Sequence, residues 1–263
     1  MVKIMNINLN YQEFHDFKLS LDKGKFYFII GDNYSGREKL INLLSGITLT
    51  NNMISCCNLS LNHNNHYQYL QNIGVVKKLN EYSFKYTNVL DEMLYPLINL
   101  SYSIKKSKER INDLLKKFQL NIIDKKISDL NSLEKQKLLL VIALLHHPKV
   151  LLIDNVLSLF SPIERQEIMY ILKELVQEEG LTVLYFPSSL DDFLISDNII
   201  LMSNYQALKE MTYQDLFTNE DLLINSNIEV PFIVDLSLKL KMYNVINRDY
   251  LDMKEMVDDI WKS

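Results

Sequence analysis

Lys25-Phe-Tyr-Phe-Ile-Ile-Gly-Asp-Asn-Tyr-Ser-Gly-Arg-Glu-Lys-Leu-Ile-Asn-Leu-Leu44 reads as a strand, a loop and a helix in immediate succession. Residues 25–30 are a short β-prone apolar run bounded by Gly24 and Gly31, the pattern of a buried strand. Leu40, Ile41, Leu43 and Leu44 then recur at helical spacing. Between them, Gly31 and Gly36 bracket four residues, the geometry in which backbone N–H groups and a helix N-terminus cradle phosphates. The spacing alone does not separate such a cradle from an ordinary strand-to-helix turn. The phosphate-binding pattern continues with Lys and then Ser or Thr, whereas this chain has Arg37 and Glu38.

Further out, Ile73-Gly-Val-Val76 reads as another strand, and Ile104 to Leu120 as a charged amphipathic helix with Ile111, Leu114, Leu115 and Phe118 on one face. Lys105 to Arg110 reads as its solvated face. Leu133 to His147 is a more apolar helix stopped near Pro148, its two terminal histidines placed at the C-terminal dipole. Val150-Leu-Leu-Ile153 and Thr182-Val-Leu-Tyr-Phe186 are continuous apolar runs, as strands become when helices cover both faces of a parallel sheet. Pro162 to Glu178 between them is helical, with Pro162 suited to a first turn. This alternation predicts an α/β fold. Lys149-Val-Leu-Leu-Ile-Asp154 ends an apolar strand in a carboxylate, and such an Asp can hold magnesium beside phosphates. After Asn198-Ile-Ile-Leu-Met202 the pattern changes to short helical segments through Ser263.

Composition narrows the function classes. With 23% charged and 48% hydrophobic residues over 263 positions, the chain has a globular balance that argues against intrinsic disorder. The net charge of −5 supplies no global positive field for phosphate backbones, so no nucleic-acid partner is expected. Cys56 and Cys57 are adjacent and form no disulfide framework, which fits a reducing cytosolic compartment. The N-terminal Met1-Val-Lys-Ile-Met-Asn lacks the charged start and apolar run of a secretory signal, so export is not expected. The longest apolar stretch, Leu138 to Leu145, is far below the ~18 residues needed to cross a bilayer.

Taken in order, these segments resemble the ATPase subunits of ABC transporters over nearly the whole chain. The resemblance implies a P-loop NTPase-like core with a small antiparallel β subdomain, a helical subdomain over about 84–147 and a C-terminal helical appendage. It divides the chain into an ABC ATPase-like domain at 1–210 and an assembly segment at 211–263. Tyr11 stands where the family stacks an aromatic on adenine. Gly31 to Lys39 looks like the Walker A loop, which makes Gly31, Asn33, Ser35, Gly36, Arg37, Glu38 and Lys39, with Asp154, the nucleotide-binding set. Lys78 stands at the Q-loop glutamine, and Leu130-Asn-Ser-Leu-Glu-Lys-Gln136 resembles the signature sequence Leu-Ser-Gly-Gly-Gln through Leu130, Asn131, Ser132, Leu133 and Glu134. Val150 to Asn155 looks like Walker B with Asp154 as metal ligand, Ser158 to Pro162 like the D-loop, and Ser188 stands at the switch histidine. Thr87-Asn-Val-Leu-Asp-Glu92, together with Asp215 to Leu223, Ile228 to Val234 and Leu236 to Lys241, is similar to the energy-coupling-factor importer ATPases.

Most positions that do chemistry in that family differ here. Arg37 keeps the positive charge, but its planar fork is wider than an ammonium. Glu38 puts a carboxylate where a hydroxyl should ligate magnesium, and Lys39 offsets part of that charge. Asn155 replaces the carboxylate base, and an amide takes no proton from water. Ser188, Lys78 and Ser161 replace the remaining orienting groups, and without its glycines the signature loop does not bring N–H groups close to a γ-phosphate, to which Glu134 would add repulsion. The expectation is a non-hydrolysing structural and coupling subunit in which ATP and magnesium bind weakly or not at all. It would pair with a second ABC ATPase, a transmembrane coupling subunit and a substrate-binding membrane subunit, and sit at the cytoplasmic membrane face through them. An ATPase working with atypical residues, or an ABC-like module outside transport, are the alternatives. Cys56, Cys57, His63 and His66 form a ligand-type cluster, but adjacent cysteines on a strand point to opposite faces and the spacing is not a usual zinc pattern.

Overall fold

The computed structural model describes residues 2–49, 53–187, 198–212 and 214–261. Strand β1 (Lys3–Tyr11) pairs with β2 (Phe14–Asp22), while β3 (Phe26–Ile30) leaves for a second sheet. Strands β4 (Ile54–Cys56) and β5 (Leu59–Ser60) complete an antiparallel sheet in the order β2-β1-β4-β5. Alternation explains its buried face, with Ile7 and Leu9 inward between Asn6, Asn8 and Asn10.

The second sheet holds β3, β6 (Ile73–Val76), β7 (Val150–Asp154), β8 (Thr182–Phe186), β9 (Asn198–Ser203) and β10 (Gln206–Met211). Its order is β10-β9-β3-β8-β7-β6, parallel throughout except for the antiparallel edge β10. The continuous apolar runs have a geometric cause. Phe26, Phe28 and Ile30 of β3, with Leu151 and Ile153 of β7, enter one core, while Tyr27, Ile29, Val150 and Leu152 enter the other. Each strand is buried on both faces because each face supplies a different core.

Helices α1 (Arg37–Leu44) and α2 (His66–Leu70) lie with the antiparallel sheet on one side. The other core takes α3 (Val89–Asn99), α4 (Ile104–Lys117), α5 (Ser132–Leu144) and α6 (Pro162–Glu179). Helix α5 approaches β6 so closely that a Cβ on Gly74 would sit 2.5 Å from the Ala143 carbonyl oxygen. Arg110 departs from the solvated face read in the sequence. Its guanidinium forms a two-pronged pair with Glu179 at 2.7 and 3.0 Å, tying α4 to the end of α6. His146 likewise turns from the helix dipole, placing Nε2 3.2 Å from the Ile73 carbonyl oxygen, and desolvation holds its pKa below the ordinary value.

The C-terminal part departs from an all-helical reading at once, because Gln206–Met211 forms edge strand β10. A 3-10 turn, α7 (Glu220–Asn225), α8 (Phe232–Met242) and α9 (Met253–Ile260) follow. Leu223 and Val234 are fully buried in the same core as α3–α6, while Ile246, Tyr250 and Met256 form a small separate cluster against Leu236, Leu240 and Ile260. Among the described residues no helix is long and apolar enough to cross a membrane.

Candidate functional site

The C-terminal ends of the parallel strands bring together the loop after β3, Pro187 after β8, Asp154 at the end of β7, and Lys77 and Lys78 after β6. This edge is where ligands bind in open parallel sheets. The loop is braced from within and from behind. The Asp32 carbonyl accepts from the Ser35 backbone at 3.2 Å and from Ser35 Oγ at 2.6 Å, which explains why Ser35 is fully buried. Asp32 Oδ1 accepts the Tyr34 N–H at 3.0 Å, so the loop's own carboxylate takes one of its backbone donors. Gly36 adopts φ +88°, and a Cβ there would meet the Tyr205 ring at 2.4 Å. Tyr205 also donates its N–H to the Ser35 carbonyl at 3.1 Å, so the β9–β10 turn seals the back of the loop. Asn33 and Tyr34 point outward and are exposed.

Arg37, the first residue of α1, reaches across the strand ends and donates from Nη1 to the Pro187 carbonyl at 2.5 Å. Its Nε is buried without a hydrogen-bond partner among the described residues. Desolvation lowers the pKa of the guanidinium, against the raising influence of Asp154, Asp32 and Glu38. Glu38 is exposed at the helix start. Lys39 does not turn toward it. Its ammonium pairs with Glu13 and lies 5.3 Å from the centre of the Tyr205 ring, outside the loop.

Burial pushes the Asp154 carboxyl above its ordinary pKa, assisted by Glu38 and opposed by Lys77, Lys78 and Arg37. Lys77 is anchored on α1 through Asn42 Oδ1 at 2.7 Å, and Lys78 is exposed. Asn155 follows with a left-handed φ of +48°, and its carbonyl accepts from Ser158 Oγ at 2.9 Å. Ser161 serves as the N-cap of α6 in a reciprocal pair with Glu164. Ser188 lies outside the described residues. Tyr11 ends β1 half-buried, its hydroxyl accepting from Gln12 Nε2 at 3.2 Å.

The signature-like segment is organised as a helix start. Leu130 is buried, Asn131 caps α5, and Glu134 folds back onto the Asn131 N–H at 2.9 Å while pairing with Lys125 at 3.2 Å. Ser132 and Leu133 form the first exposed turn. Glu134 therefore spends its charge on its own helix rather than projecting it outward.

Two residues that close family-like segments, and to which the sequence assigned no role of their own, hold the site together. Gln136, fully buried on α5, accepts the Leu79 N–H at 3.0 Å and donates to the Lys77 carbonyl at 3.1 Å. Glu92, buried on α3, accepts the N–H groups of Lys85 and Tyr86 at 2.8 and 2.7 Å. Both fix the segment after β6. Their signal in the sequence was a polar residue in an otherwise apolar helix stripe. Behind that segment, Ser45, Val75, Lys77, Lys78, Leu139 and Ile142 help line an open pocket of about 410 Å³.

A sequence profile described as ABC transporter matches residues 14–158. The energy-coupling factor transporter ATP-binding protein EcfA1 of Oenococcus oeni is 24% identical over 271 residues, covering 100% of this chain and 98% of that protein. Its namesake from Enterococcus faecalis is 25% identical over 272 residues with the same coverage. Among solved structures, cbiO1 from Clostridium perfringens, described as part of the ABC transporter complex cbiONQ, superposes with a TM-score of 0.75 at 21% identity. That match covers 89% of this chain and 98% of cbiO1. A dimeric ATP-binding cassette in a post-hydrolysis state with ADP and Pi gives a TM-score of 0.67 at 20% identity, covering 81% and 98%.

Proposed function

The chain belongs to the ABC transporter family, and from that premise we propose that it is the non-hydrolysing, structural and coupling ATP-binding subunit of an energy-coupling-factor importer. The full-length similarity to EcfA1 proteins supports the importer class. It pairs with a second, competent ABC ATPase and with transmembrane coupling and substrate-binding subunits, which hold it at the cytoplasmic membrane face. The 211–263 segment serves this assembly through exposed Phe232, Met242, Tyr243 and Trp261.

One observation carries this reading: the Arg37 guanidinium bonds the Pro187 carbonyl, and its buried Nε has no hydrogen-bond partner among the described residues. A cation that reaches across the strand ends to a backbone carbonyl is not positioned as the compact ammonium that grips β- and γ-phosphates. Nor do the neighbouring residues fit a magnesium triphosphate. Glu38 offers a carboxylate in place of a hydroxyl, Lys39 is committed to Glu13, and Asn155 takes no proton from water. Even at the exposed helix start, a carboxylate close to polyphosphate weakens binding by roughly 1–4 kcal/mol, the range between bulk water and the effective dielectric near a protein surface.

Calorimetry with magnesium and ATP tests this reading. The wild type should give no measurable heat at concentrations where an R37K/E38S double variant binds. Equal micromolar binding by both, or steady phosphate release that disappears in Asp154→Ala, would overturn it. Capture from native membranes should bring down a second ATPase and a transmembrane subunit.

A further inference from the structure

The turn between β4 and β5 passes through Cys57 at φ +52° and Asn58 at φ +63°, two successive left-handed residues. In an extended strand the two cysteine side chains would point to opposite faces. The left-handed Cys57 removes that constraint, and the two sulfurs lie 3.8 Å apart with the Cys56 thiol donating to Cys57. Cys56 is fully buried in the core beneath the antiparallel sheet, whereas Cys57 is half-buried at its edge, and both are free thiols. The histidines grouped with them in the sequence play no part. His66 Nε2 pairs with the Gly46 carbonyl oxygen at 2.9 Å, and His63 is exposed. Among the described residues no group of three or more His, Cys, Asp or Glu could hold a metal ion.

The pair itself has the span of a chelate. Trivalent arsenic is pyramidal, and two arsenic–sulfur bonds of about 2.3 Å at an angle of about 95° place the sulfurs about 3.4 Å apart, so closing the chelate draws this pair together by only a few tenths of an ångström. A disulfide suits the pair less well, because consecutive Cα atoms stand about 3.8 Å apart and relaxed disulfides need about 4.4 Å or more. We propose that Cys56 and Cys57 form a bidentate dithiol site for a thiophilic metalloid, the class met by trivalent arsenic carrying one organic substituent.

The chemistry needs no oxidant. An aryl arsenic oxide exchanges its As–O bonding for two As–S bonds, the oxygen leaves as water with both thiol protons, and arsenic stays trivalent. Cys57 is the entry point. Its thiol is lowered to about 7 by the hydrogen bond from Cys56 and by Lys149 and Lys23, so the attacking thiolate exists at neutral pH. Cys56 is pushed the other way by the same bond and by burial, so it keeps its proton until ring closure. Closure is intramolecular, which sets this pair apart from any single thiol.

The full chain treated with one equivalent of phenylarsine oxide tests the proposal by intact mass, thiol titration and thermal melting. One adduct per chain should consume both thiols, survive excess 2-mercaptoethanol and be released by a 1,2-dithiol. Because the folded turn holds both sulfurs in register, the melting temperature should rise. Cys57→Ser, at a half-exposed position, should lose the adduct to monothiol at least roughly tenfold more readily, and Cys56→Ala should behave alike if it folds. Release from the wild type as easily as from Cys57→Ser would overturn the site. So would a fall in melting temperature, since the arsenical would then prefer the unfolded chain.

Discussion

Gly36 and Arg37 are neighbours with opposite lessons. The glycine is required by the backbone, since its φ of +88° and the Tyr205 ring at 2.4 Å leave no room for a side chain. Gly36→Ala should therefore destabilise the fold by about 1–3 kcal/mol, read as a lower urea midpoint at unchanged slope. An unchanged midpoint would mean that the loop relaxes away from Tyr205 freely. Arg37 is decided by its surroundings, because nothing in the sequence placed Pro187 within its reach. His146 shows a third kind of residue effect. Its folded pKa is lowered from 6.5, first by desolvation, so the neutral ring is the folded form. The unfolded chain takes up that proton first, so the stability due to neutral His146 is complete above pH 6.5 and is lost as pH falls through the lower folded value. Urea midpoints at pH 7.5 and 5.5 should drop more for the wild type than for His146→Gln, which keeps a donor toward Ile73. Equal drops would assign the acid sensitivity elsewhere.

Among the elements, α5 and α6 begin in the same way, and this bears on two positions read as degenerate chemistry. Asn131 with Glu134, and Ser161 with Glu164, form reciprocal capping boxes. Such caps satisfy backbone donors at a helix start that have no partner within the helix. Ser161→Ala should lower stability by about 1 kcal/mol in chemical denaturation, and Ser161→Asp should restore most of it. A Ser161→Ala protein as stable as the wild type would show that Pro162 and Glu164 suffice to start α6. From the sequence, Asn131-Ser-Leu-Glu134 read as part of a signature-like segment and Ser161 as part of a D-loop, not as helix caps. The family comparison drew attention to catalysis there, while local backbone chemistry accounts for the contacts the side chains make.

At the scale of the molecule, the C-terminal part is in two layers. Leu223 and Val234 complete the core shared with α3–α6, whereas Ile246, Tyr250 and Met256 form a separate cluster with residues of α8 and α9. A chain ending at Val245 should retain a cooperative melt and associate more weakly with its partner, while one ending at Met211 should uncover the main core and aggregate. Full partner capture by the chain ending at Val245 would remove the assembly role from 246–263. The parallel strands, the helices α4, α5 and α6, and the strand, loop and helix over 25–44 were legible from the chain alone, because each depends on local periodicity and on turn residues that punctuate it. So were the substitutions at residues 37, 38, 78 and 155, since identity needs no folding. Where those side chains go was set by packing and long-range contact: Arg37 to the Pro187 carbonyl, Lys39 to Glu13, Glu134 to its own helix. Packing likewise turned β10 into an edge strand and brought Cys56 beside Cys57. These contacts are set by left-handed turns and by partners up to 150 positions away in the chain, and neither leaves a periodic trace in the sequence.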